Sequence, residues 1–202
     1  MTLDHPRIHI TGASGGGVTT LGRGLAVALD GYALDTDDFF WVPTYPPYQV
    51  KRPPEERLRL LRDALPTDRP WIVTGICDSW AAALVPLFHL VVFLSVRTEV
   101  RLARLRDRER RLVGDAAVAP GGYFHANHQE FVEWASHYDA GLLPGRSLPR
   151  HERWLATLTN PVLRLNGELP VADLVAAVVA YIDTIRRIDG ILEESHAELN
   201  ER

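Results

Sequence analysis

Residues 11–20 read Thr-Gly-Ala-Ser-Gly-Gly-Gly-Val-Thr-Thr. Set against the phosphate-binding pattern G-x-x-x-x-G-K-[ST], Gly12, Gly17 and Thr19 fit, and Val18 stands where the lysine belongs. In such a loop the glycines let successive backbone N–H groups converge on phosphate oxygens. The N-terminus of the following helix adds its dipole and free donors. The hydroxyl of Thr19 would reach Mg²⁺. The lysine ordinarily bridges the terminal phosphates, and a valine cannot. Either another cation reaches in, or nucleotide binds weakly, or the site has stopped catalysing.

Two further runs carry charge. Asp35, Asp37 and Asp38 form an acidic cluster. Carboxylates are hard oxygen ligands and can orient or deprotonate a hydroxyl, although such a cluster also suits a solvated helix N-cap. Arg97, Arg101, Arg104, Arg108 and Arg111 recur at helical spacing and predict one stripe. Guanidinium forks suit phosphoryl oxygens; the plainer reading is a solvated face offset by Asp107 and Glu109.

The elements that must position these groups alternate. Short apolar runs at 7–10, 31–34, 71–74, 90–94 and 161–165 predict strands. Helical patterns at 18–29, 54–65, 99–112, 129–138 and 171–188 separate or follow them. Gly22 and Gly24 weaken the first helix, so it needs tertiary packing. The order implies a parallel sheet covered on both faces, whose ligands sit beyond the carboxyl ends of the strands. The glycine run and the acidic cluster both fall at such ends.

Composition narrows the class. Of the 202 residues 46% are hydrophobic and 24% charged, which is ordinary globular usage. A net charge of −4 argues against a general nucleic-acid binder. The single cysteine, Cys77, cannot form an internal disulfide, which fits a reducing compartment. The first seven residues lack an export pattern, and the apolar stretch 80–96 is broken by Pro86 and His89. The expectation is a cytoplasmic protein without membrane or nucleic-acid partners, monomeric or homodimeric.

Thr11-Gly12-x3-Gly16 also fits the start of the short-chain dehydrogenase loop, but that loop's last glycine falls on Val18. Those enzymes need Tyr-x-x-x-Lys, and the one lysine, Lys51, has Pro47 four residues before it. The dehydrogenase reading fails on its chemistry.

The run Gly12-Ala-Ser-Gly-Gly-Gly-Val-Thr-Thr-Leu-Gly-Arg, the run Asp35-Thr-Asp-Asp-Phe-Phe-Trp, and the Val91-Val-Phe-Leu strand with arginines behind it resemble the adenylate/shikimate-kinase-like branch of the P-loop phosphotransferases. More narrowly they resemble a group of small bacterial proteins, loosely labelled adenylate kinase or AAA family ATPase, whose loop often lacks its lysine. The resemblance covers about residues 7–182.

The resemblance implies a single three-layer α/β/α domain over 1–202 with a five-stranded parallel sheet in the order 2-3-1-4-5. It also implies an acceptor lobe at about 36–66, a lid at about 104–128 and a polar helical tail at about 183–202. ATP and Mg²⁺ are the implied cofactors. Gly12, Ala13, Ser14, Gly15, Gly16, Gly17, Val18, Thr19 and Thr20 would cradle the nucleotide. Thr19 and Asp35 would hold the metal, with Asp37 on the acceptor hydroxyl and Arg104, Arg108 and Arg111 on the phosphates. Lys51, Arg52 and Arg57, with Phe39, Phe40, Trp41, Tyr45 and Tyr48, would face the acceptor or simply pack a Pro-rich loop. Asp78 ends another strand at the same crevice, and Arg146, Arg150 and His151 lie where related proteins approach the adenine. His125, His128, Glu130, Glu133 and His137 lack a defined metal-ligand spacing. The expected function is ATP-dependent phosphorylation of a nucleotide or hydroxyl acceptor. The alternatives are a nucleotide-binding regulator or scaffold without transfer activity, and an ATP hydrolase.

Overall fold

A computed structural model describes residues 3–45 and 47–200, with side chains as far as residue 188. Met1, Thr2, Pro46, Glu201 and Arg202, which belong to the expected leaderless N-terminus, the Pro-rich loop and the tail, lie outside the described residues. Five parallel strands form the central sheet: β1 (Arg7–Gly12), β2 (Tyr32–Asp35), β5 (Trp71–Thr74), β6 (Leu90–Ser95) and β7 (Val162–Asn166), in the order β2-β5-β1-β6-β7. Numbered by their succession along the chain, that is the expected order 2-3-1-4-5. Two-residue strands β3 (Trp41–Val42) and β4 (Val50–Lys51) make a separate antiparallel hairpin.

Period-two alternation divides the central strands between two cores. Ile8, Ile10, Ile72, Leu90, Val92 and Leu94 point to one face, where α1 (Val18–Ala28) and α8 (Val171–Asn200) cover them with Leu21, Leu25, Leu174, Val178 and Ile182. On the other face Trp71 and Val73 meet Leu61 of α3 (Pro54–Ala64) and Leu84 of a 3₁₀ turn at Ala82–Leu87. Val91 and Phe93 meet Leu155 of α7 (Leu148–Leu155). Strands buried on both faces explain why β6 reads as an unbroken apolar run.

Polar side chains enter this second core, His9 among them. His9 is fully buried in β1, stacked on Phe88 at 5.1 Å, with Nδ1 bonded to the Val73 carbonyl at 2.9 Å. Burial drives its pKa down to about 4, so it is neutral at pH 7.

Beyond β6 the chain builds a helical lobe from α4 (Thr98–Val113), α5 (Asp115–Val118) and α6 (His125–Ser136). A short hydrogen bond between buried Glu109 and His128 ties α4 to α6. Helix α2 (Thr36–Phe40) starts at the acidic cluster that also suited a helix N-cap, whereas α5 and the β3–β4 hairpin, both too short to show a period, are additions to the sequence reading. The final helix runs on through the polar tail as far as Asn200. Among the described residues no helix is long and apolar enough to cross a membrane.

The glycines of α1 have a packing reason. A Cβ on Gly22 would come within 2.3 Å of Thr74 Cγ2, and one on Gly24 within 2.9 Å of Val175 Cγ2. Their absence lets α1 lie close on β5 and α8, which offsets a propensity cost of about 1 kcal/mol each. Gly22→Ala is therefore expected to lower stability by about 1–3 kcal/mol despite alanine's better propensity, read from denaturant midpoints. Adding Thr74→Ser, which removes the opposing methyl, should recover part of the loss. A stabilised Gly22→Ala protein would contradict the close approach.

Candidate active site at the strand ends

β1 stops at Gly12, where a Cβ would sit 2.7 Å from the Leu94 carbonyl oxygen. The chain then turns tightly, with the Gly16 amide donating to the Ala13 carbonyl at 2.9 Å. Gly15 (φ +77°) and Gly17 (φ +89°) adopt left-handed backbone that glycine takes without strain. Gly17 caps α1 with backbone alone. Leu21 is the first residue to bond back, to the Gly17 carbonyl at 3.0 Å, so the amides of Val18, Thr19 and Thr20 have no partner within the helix. The glycine loop and helix start together leave backbone amides free at the end of β1, the geometry that phosphate oxygens need. Val18 does not point into it: its side chain packs against the α1–α8 core, with Cγ1 3.5 Å from the place of a Gly12 Cβ.

Two strands away, β2 delivers the acids. Asp35 caps α2, its Oδ1 accepting from the Asp37 amide at 3.0 Å, while its Oδ2 accepts from the Thr19 hydroxyl at 2.7 Å. The cap and the reach toward the loop are thus two jobs of one carboxylate. A hydroxyl and a carboxylate side by side are hard oxygen donors of the kind Mg²⁺ takes, few enough to leave room for water and phosphate oxygens. Among the described residues no group of three or more His, Cys, Asp or Glu side chains could hold a metal. The histidines of α6 bind neighbours instead, His125 to the Val118 carbonyl and His137 to Glu133.

Asp37 is open to the cleft. Its surroundings still strip enough water to raise its pKa, with Asp35's charge adding and the Arg146 guanidinium opposing. Tyr48, at a left-handed φ of +64°, stands in the electrostatic reach of Arg108, Asp35 and Asp37. Asp38's pKa is also raised, by desolvation and then Asp35's charge. The Asp78 side chain is largely covered and paired with Arg150, Oδ2 to Nε at 2.6 Å.

The predicted arginine stripe separates into different roles. Arg97 grips Glu168, with Nη2 2.7 Å from Oε2. Arg101 is wholly buried and bonds the Val96 and Ala135 carbonyls and Asp139. Arg104 reaches the loop: its Nη1 donates to the Gly167 carbonyl at 3.0 Å and lies 3.8 Å from where a Gly17 Cβ would be. Arg108 lies over the Phe131 ring at 5.8 Å, facing the Asp37 side of the cleft. Arg111 is not brought to the loop; it is exposed and paired with Asp107 one turn back.

Arg146, which sequence reasoning placed toward an adenine, instead approaches the loop itself, with Nη1 3.4 Å from Ser14 Oγ. Nothing in the sequence around it signals that direction. In the 36–66 region Arg57 is held by structure, stacked on Phe40 at 3.8 Å and bonded to the Arg52 carbonyl at 2.6 Å. Trp41 is partnered by Phe40, Tyr48 and Lys51. The hydroxyls of Tyr45 and Tyr123 bond at 2.7 Å, joining this region to the helical lobe. A cavity of about 420 Å³ opens behind the loop beside Ala13, Val96, Arg97, Tyr138, Asp139 and Glu168.

No protein-family model matches the chain. In sequence it is 38% identical over 177 residues to the uncharacterized protein YqaC of Bacillus subtilis (strain 168), an overlap covering 88% of this chain and 97% of that protein. In structure it is similar to shikimate kinase from Bacteroides thetaiotaomicron, with a TM-score of 0.54 and 18% identity over 88% of this chain and 98% of that one. Shikimate kinase from Acinetobacter baumannii in complex with shikimate gives 0.53 and 18%, over 90% and 95%. A gluconokinase from Sinorhizobium meliloti 1021 gives 0.50 and 16%, over 95% and 99%. The fold is that of the P-loop small-molecule kinases.

The two left-handed glycines make separable predictions. A Cβ on Gly15 would strike the Arg101 carbonyl oxygen at 2.6 Å, so Gly15→Ala should lower the melting temperature. Gly17 has no protein atom nearer than Arg104, so Gly17→Val should keep the fold but twist the loop, at about 1–3 kcal/mol of backbone strain, and abolish ATP binding by calorimetry. Unchanged ATP affinity in Gly17→Val would refute the nest.

Proposed function

We propose that this chain, which belongs to the family of Bacillus subtilis YqaC, is an ATP-dependent kinase of the adenylate/shikimate-kinase-like branch that acts on a small molecule. The observation that carries the reading is the 2.7 Å hydrogen bond from Thr19 to Asp35, which joins the phosphate loop to the acidic end of β2. That contact supports the reading because it brings the glycine loop, two hard oxygen donors and the acidic run to one crevice.

In this reading the amides from Gly15 to Thr20 bind the β- and γ-phosphates, and the cavity beside Ala13 takes the base. Thr19 and Asp35 would hold Mg²⁺, whose contribution is to neutralise charge on the phosphates. Asp37 orients the acceptor hydroxyl and takes its proton as the phosphoryl group leaves ATP; its raised pKa suits a proton acceptor better than a fully solvated aspartate. Arg104 and Arg108 stand on the phosphate and acceptor sides, and Arg111 joins them only if the helical lobe closes further. The regions 36–66 and 104–128, already linked by Tyr45 and Tyr123, serve as acceptor lobe and lid. The acceptor carries a hydroxyl or phosphate, as do nucleotides and hydroxy acids. Catalysis of this kind is positioning and charge stabilisation, so a loop without lysine is compatible with it when another cation is near.

The second reading, a nucleotide-binding protein without transfer, is favoured by one observation: the Val18 side chain packs against the core and offers the phosphates no charge. The two readings separate by experiment. The protein with MgATP and a panel of polyols, hydroxy acids and nucleoside monophosphates should release ADP with at least one acceptor, well above its rate alone. ATP binding with no acceptor-dependent ADP would leave the binding protein. With an acceptor in hand, Asp37→Asn should lower kcat by about 10²–10⁴-fold with little change in the ATP KM. The wild-type acid limb should titrate above the ordinary carboxylate range and vanish in the variant. An acid limb that survives Asp37→Asn would remove Asp37 from the role of base.

A further inference from the structure

The loop lacks its lysine, and the described residues leave Arg146 beside it without a salt bridge. Arg146 reaches Ser14, in the middle of the phosphate loop, from the segment between α6 and α7. That segment is braced: the Trp134 indole donates to the Pro144 carbonyl at 3.0 Å, Gly145 takes φ +101° beside the Trp134 ring, and Ser147 caps α7. A guanidinium presented this way is pre-organised, which lowers the cost of binding an anion.

Its partners are few. The 3.4 Å contact to Ser14 is long for a hydrogen bond, and Arg146 Nε is enclosed with no partner. Among the described residues no carboxylate lies within salt-bridge distance of it. Neighbouring Arg150 takes the carboxylate of Asp78, which leaves Arg146 uncommitted. Burial pushes its pKa down, and the charges of Asp37, Asp35 and Asp78 oppose that shift from the acidic side of the cleft. Arg104, the other arginine at the loop, already spends an Nη1 hydrogen on the Gly167 carbonyl.

We propose that Arg146 is the cation that stands in for the missing loop lysine, binding the terminal phosphate of ATP from across the cleft. The proposal rests on the nucleotide-binding reading of the loop and adds the residue that gives it charge. A guanidinium fork in this position offers two parallel donors to phosphate oxygens where a lysine offers a point charge.

The test is calorimetric titration of the full chain with MgATP and MgADP. The proteins are wild type, Arg146→Ala, Arg104→Ala, Val18→Lys and the double variant Val18→Lys/Arg146→Ala, each checked by thermal melt. Loss of a charge-assisted hydrogen bond predicts that Arg146→Ala weakens ATP about 10-fold or more and ADP far less. Val18→Lys should recover much of the lost ATP affinity in the Arg146→Ala background while changing the wild type little. A packing role for Arg146 would lower ATP and ADP affinity alike and show no such rescue. Should Arg146→Ala not fold, Arg146→Gln, which keeps length and a donor but no charge, takes its place. A wild type that binds neither nucleotide overturns the reading of the loop. A wild type that binds ATP while Arg146→Ala loses nothing, or in which rescue by Val18→Lys follows Arg104→Ala instead, overturns only the assignment of Arg146.

Discussion

β1 is hydrogen-bonded on both sides by strands running its own way, and the site depends on that constraint. Parallel strands bring their carboxyl ends to one rim, so whatever follows β1, β2 and β5 is gathered there whether or not it is adjacent in sequence. The loop after β1, the acids after β2 and the Gly75 turn after β5 meet for this reason. The Thr19–Asp35 hydrogen bond spans two strand positions, and it is possible only because β5 lies between β1 and β2 in register. The close seat of α1 on β5, through Gly22, sets the height at which the helix presents its free amides.

The second face of the sheet supplies a different support. Under the rim sit His9, His151 and Tyr138, all buried, with the Tyr138 hydroxyl bonded to His151 Nδ1 at 2.7 Å. Burial holds both histidines neutral, with pKa values down to about 4, so they add no charge beneath the glycine loop. The charge there comes from Arg146 and Arg150 instead, one paired and one not. That asymmetry is what distinguishes a structural arginine from one with spare binding capacity.

Much of the architecture was legible from short-range pattern. The apolar run 90–94 is of the kind found in strands buried on both faces, and the glycine spacing at 12–17 marked a strand-to-helix turn with unusual backbone. The acid pair after β2 was readable as chemistry, although its double duty as cap and as Thr19's partner needed coordinates. The arginine stripe was misleading in one respect. Helical spacing puts four guanidinium groups on one side of α4, with Arg97 at its N-cap, but what each one meets is decided by α6, by the turn at Gly167 and by solvent. Hence Arg101 is buried, Arg104 touches the loop and Arg111 pairs with Asp107. Arg146 was beyond reach from sequence because its direction is set by the Trp134–Pro144 brace and the left-handed Gly145, which are tertiary facts.

A structure of the protein with Mg²⁺ and a non-hydrolysable ATP analogue tests the central claim most directly. The account places the phosphates against the amides of Gly15 to Thr19, with the metal on Thr19 and Asp35 and the terminal phosphate beneath Arg146. Nucleotide bound away from the loop, or a loop that stays empty at millimolar analogue while the fold is intact, would contradict it.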